Sequence, residues 1–332
     1  MQALPWRERD RWMLGHWPTP LERLTRLSEE LGGPTIWVKR DDCTGLAIGG
    51  NKTRKLEYLL GDALRQGADT LVTFGAVQSN HARQTAAACA RAGLACHQVL
   101  TRSVTSADPG YETNGNVLLG RLLGAHQHII DEDARKSYTQ KLLSELSDAG
   151  RRVYLVPAGG SNAVGALGYA ACAEEILLQC ADQEIDPGVI VHASSSAGTQ
   201  AGLLYGFAQL NRDVPVMGIN VYHPDPADLQ ARVQALLNDC QALYGATPVA
   251  QGRVQVNHAY FGSGYGQPTP ECVEAIHLAA RLEGLLFDPV YAGKALAAMI
   301  DQINLGNFSN CRDVILLHTG GTPALAVYSA SL

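Results

Sequence analysis

The chain lacks the run of about 20 apolar residues that an α-helical membrane span requires, so no span is expected. It also lacks basic excess. Lys and Arg number 26 against 32 Asp and Glu, a formal net charge of −6. That removes the electrostatic footprint of a nucleic-acid binder and disfavours anionic membrane surfaces. The eight cysteines include no C-x-x-C pair and share no ligand spacing with the ten histidines, which argues against a metal centre. Several, such as Cys89 in Ala86-Ala87-Ala88-Cys89-Ala90, lie in apolar runs and read as small core residues kept reduced. Between Met1 and Trp12 stand Arg7, Glu8, Arg9, Asp10 and Arg11 in place of a signal peptide's apolar core. A cytoplasmic setting is therefore expected. There is no internal repeat, no low-complexity segment and no Pro/Ser-rich linker.

What is present is globular. The 332 residues, 46% hydrophobic and 17% charged, suit one large or two modest domains. Short β-branched runs at 35–39, 70–74, 96–100, 127–130, 153–156, 188–193, 215–221 and 313–317 alternate with helical patterns. The helical patterns fall at 52–66, 79–92, 114–123, 133–149, 162–180, 199–210, 226–244, 269–283 and 292–304. This order predicts an α/β fold with mainly parallel sheets flanked by helices. Without a linker, a second domain is expected as an insertion within the first. Ligands of such sheets bind beyond the carboxyl ends of strands, so the residues after each strand are where chemistry should lie.

Six stretches stand out. Gly49-Gly50 release the backbone just before Lys52, which opens the amphipathic pattern Leu56, Leu59, Leu60, Ala63, Leu64. A lysine fixed at a loop-to-helix junction is a candidate for covalent imine chemistry; with Arg54 and Lys55 beside it, a solvated basic turn is the plainer alternative. After 70–74, the row Gln78-Ser79-Asn80-His81 opens a helix, where free N–H groups can hold an anion or simply be capped. After 188–193, Ser194-Ser195-Ser196-Ala197-Gly198-Thr199 offers hydroxyls and close backbone approach to a phosphate, although it is neither a Walker A loop nor G-x-G-x-x-G. After 313–317 comes His318-Thr319-Gly320-Gly321-Thr322-Pro323, with His318 expected to be packed or hydrogen-bonded. Lastly, Tyr265 in Phe261–Gly266 and Tyr291 in Asp288–Lys294 sit among small residues. Together these are the parts pyridoxal phosphate needs: a lysine for the aldehyde, a cradle for the phosphate and a separate partner for the ring nitrogen.

The motifs GGNKTRKLE, QSNHARQTAA, SSSAGTQAG, FGSGYG, DPVYAGKA and HTGGTPAL resemble, in matching order, the 1-aminocyclopropane-1-carboxylate deaminase / D-cysteine desulfhydrase family. The resemblance runs from Pro18-Thr19-Pro20 almost to the end of the chain. It implies a tryptophan synthase β-like pyridoxal-phosphate fold of type II, with a larger domain (1–51 plus 160–332) and a smaller inserted one (52–159). It implies further that Lys52 is the Schiff-base lysine and that Asn80 meets the cofactor's ring oxygen. Ser79 would lie by the substrate, with Gln78 and His81 near its carboxylate. Ser196, Ala197, Gly198 and Thr199 would hold the phosphate, helped by Lys55, and Thr319 would meet the pyridine nitrogen. Tyr265 and Tyr291 would face the substrate. A small amino acid as substrate and a homodimer are implied as well.

Two departures point to a reaction. The deaminases carry a glutamate where Ala292 stands and a leucine where Thr319 stands. A carboxylate near the pyridine nitrogen keeps it protonated and makes the ring a deep electron sink. A threonine hydroxyl does not, and opening a cyclopropane needs more help than expelling a good β leaving group. Ala292 and Thr319 thus favour α,β-elimination. D-cysteine and L-cysteate both remain as substrates. A sulfonate would want a cation near the cleft, and Val221–Pro226 supplies none, which leans toward the thiol. A phosphate-ligand sensor or an inactive cofactor binder is the reading from a different class.

Overall fold

The computed structural model describes residues 4–332 apart from 106, 107, 246 and 251. The start of the larger expected domain (1–3) and positions 106 and 107 of the smaller one therefore lie outside the described residues. Ten strands among the described residues form two sheets. They are β1 (Leu21–Arg23), β2 (Thr35–Arg40), β3 (Thr70–Ala76), β4 (Ala95–Thr101), β5 (His126–Ile130), β6 (Val153–Val156), β7 (Pro187–Ser194), β8 (Val216–Asn220), β9 (Gln255–Asn257) and β10 (Asp313–His318). One sheet runs β1-β2-β10-β7-β8-β9 and the other β5-β4-β3-β6. All neighbours are parallel except β1, which pairs antiparallel with β2 in the register Leu21↔Lys39.

The expected strands and helices are all present, with ends shifted by a residue or two. Short elements that were not expected include β1, β9 and the helices Pro5–Glu8 and Thr25–Leu31. Each strand is three residues long, too short to show alternation, and exists because a longer neighbour offers it a ladder. Helix starts follow local chemistry. Ser79 Oγ accepts from Ala82 N, Asn162 Oδ1 from Gly165 N and Thr269 Oγ1 from Cys272 N. Pro226 and Pro270 stand in first turns, where their missing N–H costs nothing.

The helix Lys52–Arg65 is the centre of the molecule rather than a surface helix. Leu56, Leu59, Leu60 and Ala63 are fully buried, against the smaller sheet's core. Its other side meets the long helix Ala163–Asp182 so closely that a Cβ at Gly168 would come within 2.2 Å of the Arg54 carbonyl oxygen. At this contact the Arg54 guanidinium forks onto both Asp41 oxygens at 2.8 Å and also bonds Glu175. Tyr169 donates to Asp41, and Lys39 pairs with Glu175. Six of the eight cysteines are buried and all are free, as core use of small thiols predicts. No described helix is long and apolar enough to cross a membrane.

Burial pushes the Glu175 carboxyl up, but Arg54 and Lys39 outweigh it and hold it at about 2, below its ordinary 4.5. Its contribution to stability is therefore complete above that ordinary value and lost as pH falls toward about 2. Urea midpoints should decline over that window. Arg54→Met should flatten the decline and remove about 3–5 kcal/mol at neutral pH, because it strands two carboxylates beside a packed core.

Candidate active site

The carboxyl ends of both sheets open onto one cavity of about 430 Å³. Phe74–Ala76 at the end of β3, Thr101 of β4, Pro157 after β6, Ala193–Ala197 after β7, Tyr222 after β8 and Thr319 after β10 all line it. This is the placement expected of parallel sheets.

Lys52 lines the cavity at the first residue of its helix, and its amine donates to Asn51 Oδ1 at 2.9 Å. Asn51 is fixed in turn by Thr199 Oγ1 (3.2 Å) and by its own N–H on the Thr319 carbonyl (3.1 Å). The lysine turn is thus bonded to two of the other suspected turns. Burial lowers the Lys52 amine to about 8, with Asp288 opposing the shift. Asp288 is buried behind the Tyr291 turn, where its carboxylate accepts the N–H groups of Val290, Tyr291 and Ala292 at 2.8–3.0 Å. Burial raises it to about 6 against those bonds.

Ser79, Asn80 and His81 line the same cavity at the start of the helix Asn80–Ala92. Among the described residues, Asn80 Oδ1 and His81 Nδ1 are buried without a hydrogen-bond partner, whereas His81 Nε2 meets Thr73 Oγ1 at 2.7 Å. Burial, then the charges of Lys52 and Lys55, keep His81 well below the usual imidazole range. Gln78, expected near the substrate carboxylate, is placed against backbone groups. Its amide donates to the Tyr111 and Asn114 carbonyls, and its oxygen accepts Asn116 N at 2.9 Å, so it holds the 111–116 turn and does not line the cavity.

Ser196, Ala197 and Thr199 line the cavity around the start of the helix Gly198–Gln209. Ala197 takes a φ of 70°, which turns successive N–H groups toward one point. Lys55 and Gly198 stand just outside the lining. The Lys55 amine bonds Gly159 O and Ser161 Oγ and would sit 2.8 Å from a Cβ on Gly198. Ser161 links the two sides, donating to Ser196 Oγ at 2.8 Å and accepting from Gly198 N at 3.2 Å. Gly159 and Ser161 were missed in the sequence, although they follow β6 and the turn-after-strand rule reaches them.

Tyr265 and Tyr291 both line the cavity and share a hydrogen bond between their hydroxyls. Burial pushes both phenols up and keeps them protonated. Thr319 lines the cavity, whereas Ala292 is buried outside the lining. His318 is packed on Phe287 at 4.1 Å between ring centroids and bonds Leu286 O, as expected of a core histidine. One inference from the sequence is corrected. Val221–Pro226 brings no cation, but Arg232 from the next helix and Arg135 from the smaller half both line the cavity. The described lining contains Lys52, Arg135 and Arg232 and no carboxylate.

A cationic, acid-free cleft with a lysine, a hydroxyl-rich helix start and a polar helix start defines a class that agrees with family comparison. The chain belongs to the pyridoxal-phosphate dependent enzyme family, whose model matches residues 13–320. Among curated relatives, the proteins named D-cysteine desulfhydrase from Salmonella typhi and from Salmonella choleraesuis (strain SC-B67) are each 45% identical over 316 residues, 94% of either chain. A crystal structure described as an ACC deaminase homologue superposes with a TM-score of 0.88 at 35% identity, covering 98% of this chain and 96% of its own. A fungal L-serine ammonia-lyase from Rhizomucor miehei shares the fold, with a TM-score of 0.67 at 18% identity over 93% of this chain and 95% of its own.

The residues present fit pyridoxal phosphate. Lys52 and Lys55 bring two amines into one buried region, and among the described residues Lys55 bonds only neutral partners, so an anion there is favoured. The Ser196–Thr199 cradle supplies hydroxyls and N–H groups for it. The unpartnered Asn80 amide awaits a polar neighbour; its two ends interchange by a half-turn. Gly198→Ala should therefore weaken cofactor binding by about tenfold or more, since its methyl would enter the space between Ser161 Oγ and the Lys55 amine. Equilibrium titration of the cofactor by its visible absorbance measures this.

Proposed function

We propose that the chain is a D-cysteine desulfhydrase, converting D-cysteine and water into pyruvate, ammonia and hydrogen sulfide. The observation that carries the reading is the acid-free lining in which Lys52, Thr319 and the Tyr265–Tyr291 pair share one cavity. The identity to D-cysteine desulfhydrases supports it.

In this reading the bound cofactor supplies an electron sink for the pair left on Cα when its proton departs. The chain does the rest. The Ser79–Asn80 helix start, with His81 beside it, receives the substrate carboxylate on free N–H groups and side-chain donors. Gln78 acts at one remove by shaping the 111–116 turn. Lys52 takes the Cα proton, a task suited to an amine that burial has brought to about 8. Thr319 would be the neutral neighbour of the pyridine nitrogen, which would limit the sink's depth. The C–S bond breaks as the tyrosine pair delivers a proton to the departing sulfur, so a neutral thiol leaves from Cβ. The enamine released then hydrolyses in water to pyruvate and ammonia. Serine and threonine hydroxyls with the Lys55 amine anchor the phosphate at 196–199.

L-Cysteate is the second substrate in view. Arg135 and Arg232 at the cavity favour it, since a sulfonate carries a fixed charge that guanidinium groups pair well. The same proposal divides the chain into 1–51 plus 160–332 and 52–159, with the cleft between the parts and closure excluding water. The sheets support this, because β3–β6 all fall between residues 70 and 156. A cytoplasmic homodimer belongs to the proposal too.

Lys52→Ala should abolish both the visible absorbance of the loaded protein and pyruvate release. An active, yellow Lys52→Ala protein would sink the assignment. Release of the 2-oxo acid, pyruvate from D-cysteine, L-cysteine and L-cysteate and 2-oxobutanoate from 1-aminocyclopropane-1-carboxylate, should be greatest with D-cysteine and absent with the cyclopropane acid. Preference for L-cysteate would move the function to the second reading. No turnover of any of them would leave a cofactor binder without lyase activity.

A further inference from the structure

Arg83 is 1% exposed, yet among the described residues it bonds no carboxylate. Its Nε donates to Asn116 Oδ1 at 2.8 Å, one terminal nitrogen to Gly49 O at 2.9 Å and the other to Ala47 O. All three acceptors are neutral. Burial pulls the guanidinium down to about 10, with nothing opposing it. An unpaired buried charge is an expensive way to join two segments, and an apolar side chain would serve stability better.

What Arg83 holds is strained. Ala47 sits at φ 43°, ψ 63° and Ile48 at φ 70°, left-handed conformations that a β-branched residue adopts only under constraint. Lys52 follows four residues after Ile48. The other side of the turn is pinned by Thr44 Oγ1, which meets both N and O of Gly50, and by Gln84 Oε1, which accepts Thr53 N at 3.0 Å. Arg83 and Gln84 lie on the helix whose first residues, Asn80 and His81, face the cavity. One rigid helix therefore carries both the anion-facing residues and the clamp on the lysine turn.

We propose that Arg83 is a positioning residue for Lys52: its planar fork holds the strained Ala47–Gly49 carbonyls and so fixes the lysine amine relative to Ser79 and Asn80. The proposal rests on the lyase reading above for its kinetic consequences, though not for its spectroscopic ones. Arg83→Lys keeps the charge but loses the fork. In the cofactor-loaded protein it should lower kcat for D-cysteine by about tenfold or more while KM changes by less than about threefold. It should also shift the pH at which the visible absorbance band changes. Ile48→Gly, which relaxes the turn, should recover about threefold or more of kcat in the Arg83→Lys background. Asn116→Ala removes one acceptor and leaves the guanidinium, so it should shift the band in the same direction even if Arg83→Lys fails to fold. A fall in melting temperature alone, with kcat and the band's pH dependence unchanged in both variants, overturns the proposal; so does an Ile48→Gly change that restores nothing. The band titration needs no substrate. If the wild type does not turn over D-cysteine, the lyase reading fails while that titration still decides the role of Arg83.

Discussion

The buried fork between Arg54 and Asp41 is the constraint on which the site depends. Arg54 stands two residues after Lys52, and neighbours at that spacing point away from each other on a helix. One faces the cavity; the other is tied by Asp41 and Glu175 to the end of β2 and to the helix Ala163–Asp182. The rotation of the helix about its own axis is thereby fixed. A lysine on a helix free to roll by a fraction of a turn would lose its direction, and Asn51 at the same helix start would lose its bonds to Thr199 and Thr319. Here the opposite face cannot roll without breaking a buried ion pair.

Charge is sorted around that axis. The acids that stabilise the fold, Asp41, Glu57, Glu175 and Asp288, sit outside the cavity lining, each engaged by arginine, lysine or backbone N–H groups. The lining itself is left to cations, hydroxyls and neutral imidazoles. Such sorting suits an anionic cofactor and a carboxylate substrate together. In the proposed reaction it also leaves the Tyr265–Tyr291 pair to give the proton, in a cleft whose described lining has no carboxylic acid.

Much of this was legible because strand ends and helix starts announce themselves locally. Lys52, Ser79, Asn80, Ser196, Thr199 and Thr319 each lie within a few residues of an apolar run that ends in glycine or hydroxyl residues, and all of them line one cavity. The sites that escaped notice are defined through space. Arg232 lies on the face of an ordinary amphipathic helix, and nothing in 226–244 says that this face meets the cleft. Gln78 looked like part of a polar cap, but its amide turned toward the backbone of a loop more than thirty residues away. Arg83 drew no attention in the sequence, because sequence alone cannot show that its three acceptors surround it.

The pairing of β2 with β10 has a consequence for assembly. Thr35 meets Asp313 and Arg40 meets His318, so the middle of the larger sheet closes only when segments from distant parts of the chain come together. The four strands of the smaller sheet, by contrast, lie close in sequence. Until β10 docks, Ile36 and Val38 have an open parallel edge, and the carbonyl that receives Asn51 N is absent, because Thr319 follows directly on β10. The cavity therefore depends on long-range closure of the chain, and without β10 in place an apolar edge would stand where the cavity forms.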